Sequence, residues 1–160
     1  MLHYNEETHY VSVRKLVSLD NKTVYKDLKK PHGQKLSEFR DLFSSEIDYW
    51  ISEGVGTDNI HFVRERGFSR FATETQTIFR MVGITDLVLW DKAGKCFEQL
   101  APKEVKRLVA GTGDAKKKDV ADTLPDYVGP QEYKTDDESD AVAVGIAWIL
   151  SRGYVIKKRE

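Results

Sequence analysis

Apolar and polar positions change period several times along this chain. Residues 10–19 alternate over much of their length, as a half-buried strand does. Asp20-Asn21-Lys22 follows as a turn, and residues 23–28 read as a second strand that closes a hairpin. Pro31-His32-Gly33 breaks the pattern. Leu36, Phe39, Leu42, Phe43, Ile47, Trp50 and Ile51 then recur at helical spacing, which predicts an amphipathic helix over 34–52, ended by Gly54-Val55-Gly56. Residues 59–64 predict a short strand running straight into Glu65. Residues 72–90 return to helical spacing, with Ile78, Met81, Val82, Thr85, Leu89 and Trp90 on one stripe that Gly83 weakens. Residues 95–100 predict a strand, Pro102 opens a short helix to 108, and 115–124 form another after the loop Gly111-Thr112-Gly113. Residues 125–135 read as irregular, and the last helix spans 137–151. The order β-β-α-β-α-β-α-α-α predicts one α/β domain over 1–160, a mixed sheet flanked by helices.

Charge refines this picture by its distribution, since the net charge of −1 points to no partner. Lys103, Lys106, Arg107, Lys116, Lys117 and Lys118 cluster, Lys157, Lys158 and Arg159 lie in a basic tail over 152–160, and acids crowd before the last helix. Separated signs fit an acidic metal centre beside a basic substrate track. Taken alone, solvated helix faces and a loose tail explain the same clusters. Cys96 is the only cysteine, so neither an intrachain disulfide nor a zinc cage is available. A reducing, cytoplasmic setting is the expectation, with Cys96 a small core residue. No apolar run reaches membrane-spanning length, and no signal peptide is expected. The four histidines show no ligand spacing, and His61 reads as a structural imidazole within its strand; Trp50 and Trp148 read as packing residues.

The chemistry concentrates in Asp136-Asp137-Glu138-Ser139-Asp140, which opens an otherwise apolar helix. Asp137 and Asp140 project from one helical face. Packed against a core, two such carboxylates repel unless a cation or a proton lies between them, and a divalent metal resolves the conflict. The competing explanation is that Asp136 or Asp137 caps the helix and complements its dipole. Glu65 sits at the carboxyl end of a strand, where ligands gather in α/β sheets, and so offers a partner to the helix-borne pair.

Four ordered motifs carry a resemblance. Phe62-Val63-Arg64-Glu65-Arg66-Gly67-Phe68, Leu100-Ala101-Pro102-Lys103-Glu104-Val105-Lys106, Gly111-Thr112-Gly113-Asp114-Ala115-Lys116-Lys117-Lys118-Asp119-Val120 and Asp137-Glu138-Ser139-Asp140-Ala141-Val142-Ala143 together resemble the RuvC-type Holliday junction resolvases, especially their phage relatives. The resemblance covers the chain from about Tyr10 onward and implies an RNase H-like mixed sheet flanked by helices. It implies a homodimeric, metal-dependent crossover junction endodeoxyribonuclease of DNA recombination and repair, acting on four-way junctions or other branched DNA. It makes Glu65, Asp137 and Asp140 ligands of Mg²⁺, or of Mn²⁺ in its place, and Lys117 the catalytic-loop lysine that neutralises the scissile phosphate. Arg66, Phe68, Arg70, Lys106, Gly111, Gly113, Lys116 and Lys118 become the DNA-contacting set, with Phe68 stacking at the junction centre. The helix over 72–90 becomes the dimer element.

One departure stands out. Family members begin with a strand carrying "G-I-D-x-G", the first catalytic acid, and then "T-G". Thr8-His9-Tyr10-Val11 resembles the tail of that motif, which places the acid near Leu2 or His3. Neither is a carboxylate, so the N-terminal strand is either absent from this chain or degenerate. The alternative function is therefore a catalytically impaired junction-binding protein that keeps the fold.

Overall fold

A computed structural model describes residues 1–19, 32–67 and 72–159. The predicted turn at 20–22, the strand at 23–28, Phe68 and Arg70 lie outside the described residues. Two compact units are distinguished, one of Met1–Ser18, Val63–Arg66 and Gln99–Glu160, the other of Leu19–Phe62 and Gly67–Glu98.

The first unit opens with β1 (Leu2–Tyr4) and β2 (Val11–Val13), paired antiparallel with Leu2 opposite Val13. Residues 11–13 pair with a strand before them, and residues 14–18 have left regular structure; the expected hairpin partner at 23–28 lies outside the described residues. β1 alternates, with Leu2 and Tyr4 packed on the core and His3 exposed, but three residues are too short a run to register as a period. The connecting turn is held by Asn5, whose Oδ1 accepts from the amides of Glu7 (3.0 Å) and Thr8 (2.8 Å). His9 closes it at φ 58°, the left-handed region, stabilised by its amide donating to Asn5 O at 2.8 Å.

The helices of this unit are α3 (Pro102–Ala110), α4 (Lys117–Val128) and α5 (Asp136–Ser151). Val142, Ala143, Ile146 and Ala147 of α5 are buried, and a helix apolar on nearly every side belongs in a core. Val105 and Val109 of α3 and Val120 and Leu124 of α4 pack into the same cluster. α4 starts two residues later than its sequence suggests and runs through Pro125 to Val128. Proline there removes one helical hydrogen bond near the helix end, and burial of Tyr127 and Val128 offsets the loss.

Strand directions decide where functional groups meet. Leu2 presses on α5 at Gly145, where an added Cβ would lie 2.5 Å from Leu2 Cδ1, while Tyr4 O–H donates to Val155 O beyond the end of α5 (2.9 Å). β1 therefore runs away from the acidic start of α5. After β2, the chain returns to that start, where Ser18 Oγ donates to Glu138 Oε1 at 2.8 Å. β3 (Val63–Glu65) pairs with β4 (Glu98–Leu100). Amide-to-carbonyl bonds Glu98–Phe62 and Arg66–Leu100, both 2.8 Å, rise together along the two strands, so this pair is parallel. β1 and β3 both rest on α5, yet the sheet is divided into the pairs β1–β2 and β3–β4.

The tail is not loose. Lys157 N donates to His9 O (2.8 Å), Arg159 N to Asp126 O (2.7 Å) and an Arg159 guanidinium nitrogen to Val11 O (3.0 Å). Lys157 and Arg159 lie over the Tyr10 ring, and Lys158 pairs with Asp126. Part of the tail's charge is thereby spent on fastening the hairpin and α4.

The second unit packs α1 (His32–Ser52) on α2 (Ala72–Ala93) around Ile47, Val88 and Leu89, with Phe43, Phe62 and Phe97 against them. Trp90, placed on the buried stripe by its spacing, faces solvent instead, together with Phe79 and Leu87. Cys96 is exposed rather than in the core. His61 precedes β3 and pairs with Glu98 at 3.3 Å.

Candidate nuclease site

The test of the acidic constellation is whether β3 delivers Glu65 to the start of α5, and it does. Asp140 and Lys117 are both close enough to act on the Glu65 carboxyl, as is Lys106. Four elements of one unit contribute: β3 brings Glu65, α3 brings Lys106, α4 brings Lys117 and α5 brings Asp140. Surrounding protein is the main cause that lifts Glu65 above the usual carboxylate range; Asp140 adds to the rise, and Lys117 and Lys106 oppose it. Glu65 is nonetheless open to solvent at the strand end.

Lys117 is the first residue of α4, where a helix dipole disfavours a cation. Its position is stabilised by the acids of α5. Its Nζ donates to Asp140 Oδ2 at 2.8 Å, and this bond and charge raise the Lys117 pKa, with smaller help from Asp136 and Asp137. Lys116 N donates to Asp119 Oδ2 at 2.8 Å, which fixes the first turn of α4.

α5 is capped by Thr135 with no side-chain cap bond, so Asp136, Asp137 and Glu138 fill its first turn. The helix-dipole explanation thus holds for these acids, and it coexists with the site, because Asp140 is the acid that reaches Lys117. Asp137 is exposed and acts on Lys117 only at the lesser level. Glu138 went unrecognised in the motif as a mere spacer. It is buried, and accepts from Lys134 N (2.7 Å) and Ser18 Oγ (2.8 Å). Those bonds hold it ionised below the usual carboxylate range, the Lys134 amide most, then Ser18. They tie the end of the hairpin to the helix that carries Asp137 and Asp140.

The rest of the expected DNA-contacting set divides. Arg66 and Lys116 are exposed. Lys118 is engaged by Asp122 one turn along its own helix. Gly111 caps α3 at φ 82°, and its amide donates to Arg107 O at 3.0 Å, a cap for which glycine has no Cβ penalty. At Gly113 a Cβ would come within 3.2 Å of Lys103 O, so this loop lies tight on α3.

The first-strand acid is not replaced. The turn bearing Thr8 and His9 is fastened to the tail beyond the end of α5, and the position that the motif gives the acid, near Leu2 or His3, holds no carboxylate. β4 beside β3 bears Glu98, which pairs with His61, and among the described residues no three acid, histidine or cysteine side chains form a ready metal cage. The donors that do meet fit one hard divalent cation in kind: carboxylate oxygens from Glu65 and Asp140, near enough to repel, with the Lys117 ammonium already standing where positive charge is needed. They do not suffice for a bridged pair of ions.

No family model matches the chain. Among curated proteins it is similar to the crossover junction endodeoxyribonuclease RuvC of Prochlorococcus marinus subsp. pastoris, 26% identical over 141 residues, 88% of this chain and 85% of that one. A RuvC of Chlorobaculum parvum is 45% identical over 64 residues, 39% of this chain and 33% of the relative. Among solved structures, T. thermophilus RuvC in complex with Holliday junction substrate superposes with a TM-score of 0.74 at 17% identity, over 99% of this chain and 89% of that chain. The chain resembles RuvC-type resolvases in sequence and shares their RNase H-like α/β fold. No helix among the described residues is long and apolar enough to cross a membrane.

Proposed function

We propose that this chain is a metal-dependent, structure-selective endodeoxyribonuclease of the RuvC type that acts on four-way or otherwise branched DNA. The observation that carries the proposal is the meeting of Glu65, Asp140, Lys117 and Lys106 from four elements. The RuvC names of the similar proteins and the junction-bound structural neighbour support it.

Glu65 and Asp140 would hold Mg²⁺ or Mn²⁺, with Asp137 an outer ligand one helical turn away. Such an ion supplies an activated water and neutralises charge on the leaving 3′ oxygen. The chain's own groups do the rest. Lys106 and Lys117 draw a phosphate to the acids and offset its charge. Arg66, Lys116 and Lys118 extend the positive track, a binding mode that weakens with salt. The loop at Gly111 and Gly113 lets backbone approach the strand closely. Phe68 follows Glu65 in sequence and is assigned to the junction centre, with Arg70 gripping phosphate beside it.

We further propose that residues 1–160 serve as one nuclease domain, working as a homodimer in the cytoplasm. Paired incisions on a two-fold symmetric substrate need two sites. The exposed Phe79, Leu87 and Trp90 lie on one face of α2, an apolar face suited to a second copy.

A second reading is a junction binder with impaired catalysis, favoured by the lack of any acid on β1. A labelled four-way junction incubated with the protein, with and without Mg²⁺, separates the two. Symmetric nicks that need Mg²⁺ and vanish in Glu65→Gln support the nuclease. A retarded but intact junction supports the binder, and neither outcome rejects both.

A further inference from the structure

This inference rests on the reading of Glu65 and Asp140 as a cation site. We propose that Lys117 is a built-in competitor for that cation: its ammonium occupies Asp140 in the free protein and moves to a DNA phosphate when substrate binds, which couples cation binding to DNA binding.

Three observations carry the idea. Lys117 Nζ lies 2.8 Å from Asp140 Oδ2, so it already takes one of the oxygens a cation would use. The Lys117 side chain is 69% exposed and Asp140 is its one ion-pair partner among the described residues, so the pair can open without disturbing packing. Lys117 also stands at the first position of α4, where the helix's own partial positive charge pushes a lysine outward. An incoming phosphate offers the ammonium a stronger partner than an exposed carboxylate.

A cation at Asp140 must either share that carboxylate with the ammonium, at the cost of like-charge repulsion, or displace it. Removing the lysine charge therefore improves cation binding in the absence of DNA, even though it harms DNA cleavage. Exposed pairs of this kind are worth enough to shift affinity about two- to five-fold. Coupling between the two ligands is reciprocal, so DNA tightens the cation by the factor with which the cation tightens DNA.

The test is Mn²⁺ affinity, measured by calorimetry and by the electron paramagnetic resonance of free Mn²⁺, with and without a short duplex. Lys117→Met is expected to bind Mn²⁺ about two- to five-fold tighter than the unmodified protein without DNA. The duplex should tighten Mn²⁺ more in the unmodified protein than in Lys117→Met. Lys92→Met, whose lysine pairs with Asp48, should match the unmodified protein. Equal or weaker Mn²⁺ binding by Lys117→Met overturns the inference. Asp140→Asn separates the layers. If it abolishes Mn²⁺ binding while Lys117→Met gains nothing, only the competition fails. If it leaves Mn²⁺ binding intact, the cation site itself is wrong and the inference falls with it.

Discussion

Breaking the Lys117–Asp140 pair tests the geometry of the site without relying on turnover. At 2.8 Å the bare attraction in water is about 1.5 kcal/mol. Both side chains are substantially exposed, at 69% and 42%, so ordering of the lysine and solvent screening cut the net value to about 0.2–1 kcal/mol. A double-mutant cycle of Lys117→Met and Asp140→Asn, followed by urea denaturation, should show coupling in that range at low salt and much less in concentrated salt. The same variants should move Glu65 in opposite directions. Asp140 raises its pKa and Lys117 lowers it, so Asp140→Asn drops the Glu65 midpoint and Lys117→Met lifts it, read by carbon NMR of the side-chain carboxyl. A Glu65 midpoint identical in all three proteins refutes the convergence of β3, α4 and α5.

Stability should carry the same signature. Glu65 has a raised folded-state pKa, so its contribution is fully present below the ordinary glutamate pKa and is lost as pH rises through the folded value. Glu65→Gln should therefore be slightly more stable than the unmodified protein at neutral pH and equal to it in acid, by thermal unfolding across pH. Glu138 has the opposite sign: its stabilisation is present above the ordinary carboxylate range and is lost as pH falls through its depressed folded value. Glu138→Gln should lose stability at neutral pH, with the gap narrowing in acid. Leu124→Ala, at a fully buried position beneath α5, should cost about 2–5 kcal/mol in denaturant unfolding.

Long periodic elements were legible in the sequence. α1, α2 and α5 follow their apolar spacing to within three residues at either end. The pairing of the N-terminal strands was not, because β1 is three residues long and its partner is set by contacts with α5 and the tail rather than by a turn signal. Pro125 suggested the end of α4, and buried Tyr127 and Val128 overrode it. Trp90 and Cys96 look like core residues by type and face solvent in the fold.

The site divides in the same way. Glu65, Asp140 and Lys117 could be placed in advance because ordered motifs carried them. Their electrostatic arrangement could not, since a lysine 23 positions from its aspartate leaves no local trace. Glu138 hid in plain view within an acidic run: one buried carboxylate among exposed ones is distinguished only by the Lys134 amide and Ser18 hydroxyl that meet it. The missing acid was legible from the start. The fold adds that β1, which bears no acid, runs away from Asp140.

The most direct measurement is paramagnetic broadening by Mn²⁺ in NMR spectra of the protein bound to a four-way junction. The account predicts that signals of Glu65, Asp137 and Asp140 broaden first and together, and that those of Leu2, His3 and Tyr4 do not. Broadening that spares Glu65 while affecting other acids, such as Asp126 or Glu98, would contradict it.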